Sequence, residues 1–163
     1  MPNIPVHVSS IDYVSDLNVP VQALRVYARS HFVAQSGLQV YFRSIVDTGA
    51  PLSVVPYSLW HGQSLRWNRL GGQVLTRAGQ TVSETLLWQN VPCVLGETSV
   101  FLMDLALGVQ TGPHRVVGKF VEQPVAGEFE KTAVLGLNFL KDNRIRLVLE
   151  GTGLSLTGHL AVP

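Results

Sequence analysis

The sequence predicts an all-β protein, and three observations carry that expectation. Short runs rich in Val, Leu, Phe and Tyr recur along the chain, separated by Gly, Pro and Asn, the residues that end strands and make turns. Several runs alternate apolar and polar side chains, the period of a half-buried strand. No stretch carries a sustained helical period, a heptad or a fixed-length repeat. At 163 residues the chain is one domain by length, large enough to bury a core of its own.

The elements follow in order. Residues 1–20 have weak periodicity and read as an N-terminal arm or a partly disordered segment, before a domain spanning 21–163. Val21 to Val33 and Leu38 to Val46 read as strands. The second alternates over Leu38, Val40 and Phe42, then turns continuously apolar at Ile45-Val46, which predicts burial on both faces there. Tyr57-Ser58-Leu59-Trp60 suits one helical turn. Val74-Leu75-Thr76 and Thr81-Val82 flank Arg77-Ala78-Gly79-Gln80, a hairpin turn with Gly where positive φ is easiest. Leu86-Leu87-Trp88, Val91 to Leu95 and Ser99 to Leu105 read as three further strands. From Gly108 to Lys131 the Gly, Pro and charge content predicts a long loop or hairpin inserted in the sheet. Thr132 to Leu135 returns to strand, Gly136 to Lys141 reads as a short helix, and Ile145 to Leu149 and Leu154 to Leu156 are the last two strands, joined by Gly151-Thr152-Gly153.

Composition narrows the function classes. Charged residues make up 14% of the chain, against roughly 25% in an average soluble domain. Such a chain either has a large core or hides surface in a partner. The net charge is +1 and the basic residues are scattered, so nucleic acid is not an expected partner. No apolar run approaches the roughly 20 residues that cross a bilayer, and the first residues lack the pattern of a secretion signal. The expected location is the cytoplasm, with no membrane partner. Cys93 is the single cysteine, lies in an apolar run, and reads as a small core residue. His7, His31, His61, His114 and His159 are dispersed without metal-ligand spacing, so no metal is expected. Trp60, Trp67 and Trp88 read as core or interface anchors. Leu70-Gly71-Gly72 lacks the Lys and the helix of a phosphate loop.

The chemistry-bearing feature is Asp47-Thr48-Gly49-Ala50, preceded by Ile45-Val46 and followed by Ser53-Val54-Val55-Pro56. Near the C-terminus stands Ala133-Val134-Leu135-Gly136-Leu137-Asn138-Phe139-Leu140. Together they resemble the two signature segments of the retropepsin-like aspartic proteases, the catalytic loop and the apolar-apolar-Gly segment before a short helix. The resemblance in order of elements covers Val21 to Thr157, but only these two motifs are specific. It implies a closed β-barrel of the acid-protease fold with one short helix in the C-terminal region. With one such loop per chain, it implies a homodimer in which Asp47 of both chains forms the active site, acting on extended polypeptide without a cofactor. It further implies support of the catalytic loop by Thr48, Gly49 and Ala50, a substrate-covering flap at Arg77, Ala78, Gly79 and Gln80, and packing of Leu135, Gly136 and Asn138 near the site. Two residues depart from the retroviral pattern: Pro51 stands where those enzymes have Asp, and Leu137 where they have Arg. The ion network those residues build between subunits is therefore missing.

The residue types suit the reaction. Two carboxylates about 3 Å apart cannot both ionise, so one holds a proton while the other activates water. Asp12, Asp16, Asp104 and Asp142 lack the Thr-Gly that follows Asp47 and read as surface, cap or satisfied buried acids. Two other readings stand beside the protease. One is a proteolytically silent domain of the same fold that binds peptide or dimerises; a persistent monomer would favour it. The other is an unrelated all-β ligand-binding barrel, in which substituting Asp47 would leave binding intact.

Overall fold

The computed structural model describes residues 2–71, 73–75, 81–83 and 86–163. It is mostly strand, as the sequence predicts. Eleven strands join in one sheet, in the order β12-β13-β1-β2-β3-β11-β4-β10-β9-β5 with β8 added on β9. They are β1 (Asn3–Val14), β2 (Pro20–Val33), β3 (Gln39–Val46), β4 (Ser53–Val55), β5 (Asn68–Arg69), β8 (Leu86–Trp88), β9 (Val91–Asp104), β10 (Val109–Val121), β11 (Val134–Leu135), β12 (Arg146–Gly151) and β13 (Leu156–Ala161). A separate pair, β6 (Gln73–Leu75) and β7 (Thr81–Ser83), forms the expected hairpin, with Leu75 opposite Thr81. β9 also pairs with β2 through Ser30–Leu102, His31–Phe101 and Phe32–Val100. The path β2-β3-β11-β4-β10-β9 thus returns to β2.

Among the described residues helix is confined to α1 (Tyr57–Trp60), α2 (Leu137–Asp142) and a 3-10 turn at Glu128–Glu130. The helix expected at the C-terminal end is therefore accompanied by the turn expected after Pro56. Among the described residues no helix is long and apolar enough to cross a membrane.

Three expectations need correction. The segment expected as an arm supplies β1, whose Ile4 and Val6 enter the core; Asn3 to Pro5 pair with β13 and Val6 to Val14 with β2. The two strands expected between Val91 and Leu105 are one, β9. Gly96 in its middle marks no turn: a Cβ there would stand 2.9 Å from Phe120 and 3.0 Å from Trp67, so the missing side chain makes room for two rings. The insert expected over 108–131 is largely β10, which pairs along its length with β9 and runs parallel to β4. Its Gly and Pro residues have sheet-internal uses. The register shifts between Thr111 and His114, a bulge that takes in Gly112 and Pro113. At Gly118 a Cβ would stand 2.1 Å from the carbonyl oxygen of Ser53, so only Gly lets β4 lie against β10.

The main core contains Val46, Val55, Leu59, Leu65, Phe120, Leu135 and Phe139. Trp67 stacks on Phe120 with centroids 5.0 Å apart, and Trp60 donates its indole N–H to the Val121 carbonyl at 2.8 Å. A second cluster on the other face of the sheet holds Tyr27, Ile45, Val54, Val121 and Val134, with Ala50, Trp88 and Phe129 against it. Ile45 and Val46 therefore bury in opposite directions, as their continuous apolarity predicts.

Candidate active site

β3 carries the chain into the Asp47–Ala50 loop from between the two clusters. Ser44, Ile45 and Val46 are buried, Asp47, Thr48 and Gly49 are exposed, and Ala50 is half-buried. A strand end clamped on both faces gives the acid a rigid base. The loop closes on itself: the Gly49 N–H donates to Asp47 Oδ1 at 2.8 Å, and the Ala50 N–H to the Asp47 carbonyl at 3.2 Å. Gly49 thus orients one carboxylate oxygen. Among the described residues, the Thr48 side chain makes no hydrogen bond within its own chain.

The second motif meets the first directly. β11 lies between β3 and β4, parallel to the former and antiparallel to the latter. The Ile45 N–H donates to the Ala133 carbonyl at 2.8 Å, the Asp47 N–H to the Leu135 carbonyl at 3.0 Å, and the Leu137 N–H to the Ala50 carbonyl at 2.8 Å. A Cβ on Gly136 would stand 2.5 Å from the Ala50 oxygen and 2.9 Å from the Leu52 carbonyl carbon. Gly is required where the two segments cross.

Ser53 ties the crossing together, a role the sequence reading missed. It is fully buried. Its hydroxyl accepts from the Gly136 N–H at 3.0 Å and donates to Asn138 Oδ1 at 3.0 Å. The Ser53 N–H donates to the same oxygen at 3.0 Å, and Asn138 Nδ2 donates to the Val117 carbonyl at 2.5 Å. The available signal was a hydroxyl opening an otherwise apolar run, Ser53-Val54-Val55, where burial demands a partner.

Asp47, Thr48, Gly49, Ala50, Leu135, Gly136 and Asn138 are therefore brought together. Arg77, Ala78, Gly79 and Gln80, the expected flap, lie outside the described residues. Asp104 is buried and its Oδ1 accepts from the Ala106 and Leu107 N–H groups at 3.1 and 3.4 Å, which makes it the cap of the β9–β10 turn. Cys93 is half-buried rather than fully buried, and burial raises its thiol above the ordinary range. Two cavities, of 770 Å³ lined in part by Arg66, Trp67 and Arg115 and of 560 Å³ lined in part by Arg29, Tyr41 and Arg43, have no residue of the Asp47–Ala50 loop in their lining. Comparison with protein-family models, curated proteins and solved structures gives no match.

The chain offers one exposed carboxylate at this crossing, on a braced loop. That arrangement holds an acid ready without supplying the second group that peptide hydrolysis by acid pairs requires.

Proposed function

We propose that this protein is a retropepsin-like aspartic endopeptidase that works as a symmetric homodimer. The observation that carries the reading is the crossing at Gly136: two motifs 89 positions apart, Asp47 and Gly136, interlock through backbone hydrogen bonds around one exposed carboxylate. The return of the strand path to β2 supports a closed barrel of the same family. The antiparallel β6–β7 pair supports a flap, since it sets Leu75 opposite Thr81 in a hairpin arrangement.

In the dimer a two-fold axis passes between the catalytic loops. The two Asp47 carboxylates share one proton and titrate as a pair. The ionised member takes a proton from a water held between them, and that water attacks the scissile carbonyl. The protonated member donates to the carbonyl oxygen, and the dyad then protonates the leaving amine. Thr48, exposed and without an internal partner among the described residues, is placed in this reading to bond across the axis.

The test is cleavage of a diverse peptide pool by wild type and Asp47→Asn, scanned from about pH 3 to about pH 8, the span in which a carboxylate pair changes protonation. Cuts made by wild type and lost in the variant support the dyad. A folded wild type without Asp47-dependent cuts at any pH overturns it in favour of a silent peptide-binding or dimerisation module.

A further inference from the structure

The β1–β2 hairpin outruns its neighbours. β13 pairs with β1 only at Asn3 to Pro5, and β3 pairs with β2 only from Tyr27 onward. The β1–β2 pairing continues through Ser9–Arg25 and Ile11–Ala23 to Val14–Pro20. From Ser9 to Arg25 the chain is thus a two-stranded ribbon paired, among the described residues, only with itself. An isolated ribbon of this kind is marginally stable in water.

Its direction follows from the register. β2 and β3 are antiparallel, and their last pair is Tyr27–Ile45, two residues before Asp47. The ribbon therefore continues past the end of β3 from which Asp47 emerges, by roughly 20 Å at a strand rise of about 3.3 Å per residue. It projects from the catalytic-loop end of the sheet.

The ribbon is two-faced. One face carries Ser10, Asp12, Gln22 and Leu24, with Gln22 donating to Asp12 at 3.2 Å. The other places Ile11 opposite Ala23 and Tyr13 opposite Val21. Ile11 is 44% exposed, Tyr13 54% and Val21 48%, and the tip adds Leu17 at 85%. A contiguous apolar face of this kind on a projecting element, held at its base by the Arg25–Glu128 pair, marks a contact surface.

We propose that a second copy of this chain covers the Ile11–Tyr13–Val21–Ala23 face, so that the ribbon is the clasp of the dimer. The inference rests on the paired-Asp47 reading, which requires a two-fold axis at the end of the sheet from which the ribbon projects. Area argues for the same occupant. The four residues of the Asp47–Ala50 loop fall far short of the roughly 20–30 residues a side that a stable interface uses, and the apolar ribbon face, at the same end of the sheet, is the surface that adds to them. Leu137, 47% exposed and bonded through its N–H to Ala50, extends the apolar surface from the loop.

The experiment is sedimentation velocity over a dilution series with wild type, Asp47→Asn, Tyr13→Phe and the double variant Tyr13→Ser/Val21→Ser, together with peptide cleavage at each concentration. Wild type, Asp47→Asn and Tyr13→Phe are expected to dimerise alike. The double variant is expected to weaken the dimer at least about tenfold, the size of a lost interface anchor, and to lose cleavage at low concentration and regain it at high concentration. Amide exchange of wild type gives a check that needs no substitution: protection within Ser9 to Arg25 is expected to fall on dilution. A double variant that dimerises and cleaves like wild type, a wild type that stays monomeric, or exchange in the ribbon independent of concentration overturns the clasp. A ribbon-dependent dimer without Asp47-dependent cleavage keeps the clasp and removes the protease, so the two readings fail separately.

Discussion

At Gly136 the smallest side chain decides whether two segments can cross. A methyl there meets the Ala50 carbonyl at 2.5 Å, backbone that other strands hold in place. Gly136→Ala is expected to cost about 1–3 kcal/mol through forced displacement, read by urea denaturation, and to lower cleavage more than a surface change of equal stability cost. Asn138 works differently, because it satisfies polar groups. Asn138→Ala removes the acceptor of both Ser53 donors and the donor to Val117. Leaving such groups unpaired in a buried setting costs about 1–3 kcal/mol. Asn138→Asp keeps the acceptor for both Ser53 donors but sets a carboxylate oxygen against the Val117 carbonyl, so a melting temperature below that of wild type is the check.

Among elements, β9 and β10 form the wall against which the short strand β4 and helix α1 are seated. Phe120 is fully buried on β10 and stacked on Trp67, and Trp60 of α1 reaches the carbonyl of Val121. Phe120→Ala is expected to cost about 3–5 kcal/mol, measured by chemical denaturation, because the rings over Gly96 cannot collapse into the space. β4 carries Ser53, so loosening this wall also loosens the support of the Asp47–Ala50 loop. The 3-10 turn docks on the base of the ribbon. Glu128 pairs with Arg25 at 3.2 Å and accepts the Tyr27 hydroxyl; burial first, then that bond, raises the Tyr27 pKa.

For the whole molecule, burial sets the response to acid. His31 is stacked on Phe101 with centroids 4.6 Å apart, and His114 lies against Phe139. Burial lowers both pKa values below the ordinary histidine range. The unfolded chain takes up protons near pH 6.5 where the folded chain resists them, so the unfolded state binds more protons on acidification. Stability from these two sites is full above about pH 6.5 and falls as pH drops below it. Melting temperatures are therefore expected to decline from about pH 7 to about pH 5, with a shallower slope in His114→Gln. The proposed acid-favouring dyad would then compete with acid-sensitive folding, which would narrow the pH range of any Asp47-dependent cleavage. The low charge content also finds its place at this scale, in apolar surface: Val14, Leu17, Leu107 and Leu154 are each more than two-thirds exposed.

Three features were legible in the chain before folding: the strand-rich class, the position of the carboxylate at a doubly buried strand end, and the Gly on which the second motif turns. These are local properties: alternation, continuous apolarity and turn chemistry act over a few residues. Strand continuity through Gly96 and Gly118 was illegible, because a Gly kept for close approach looks the same as a Gly kept for a turn until its neighbour is known. The first strand was illegible because Ile4 and Val6 need β2 and β13 beside them to become core. Folding in three dimensions was needed to set β11 between β3 and β4, to make Ser53 the tie of the crossing, and to carry the ribbon past Asp47. Each depends on which distant segments pair and in what register, and pairing across such separations is fixed by the closure of the sheet as a whole.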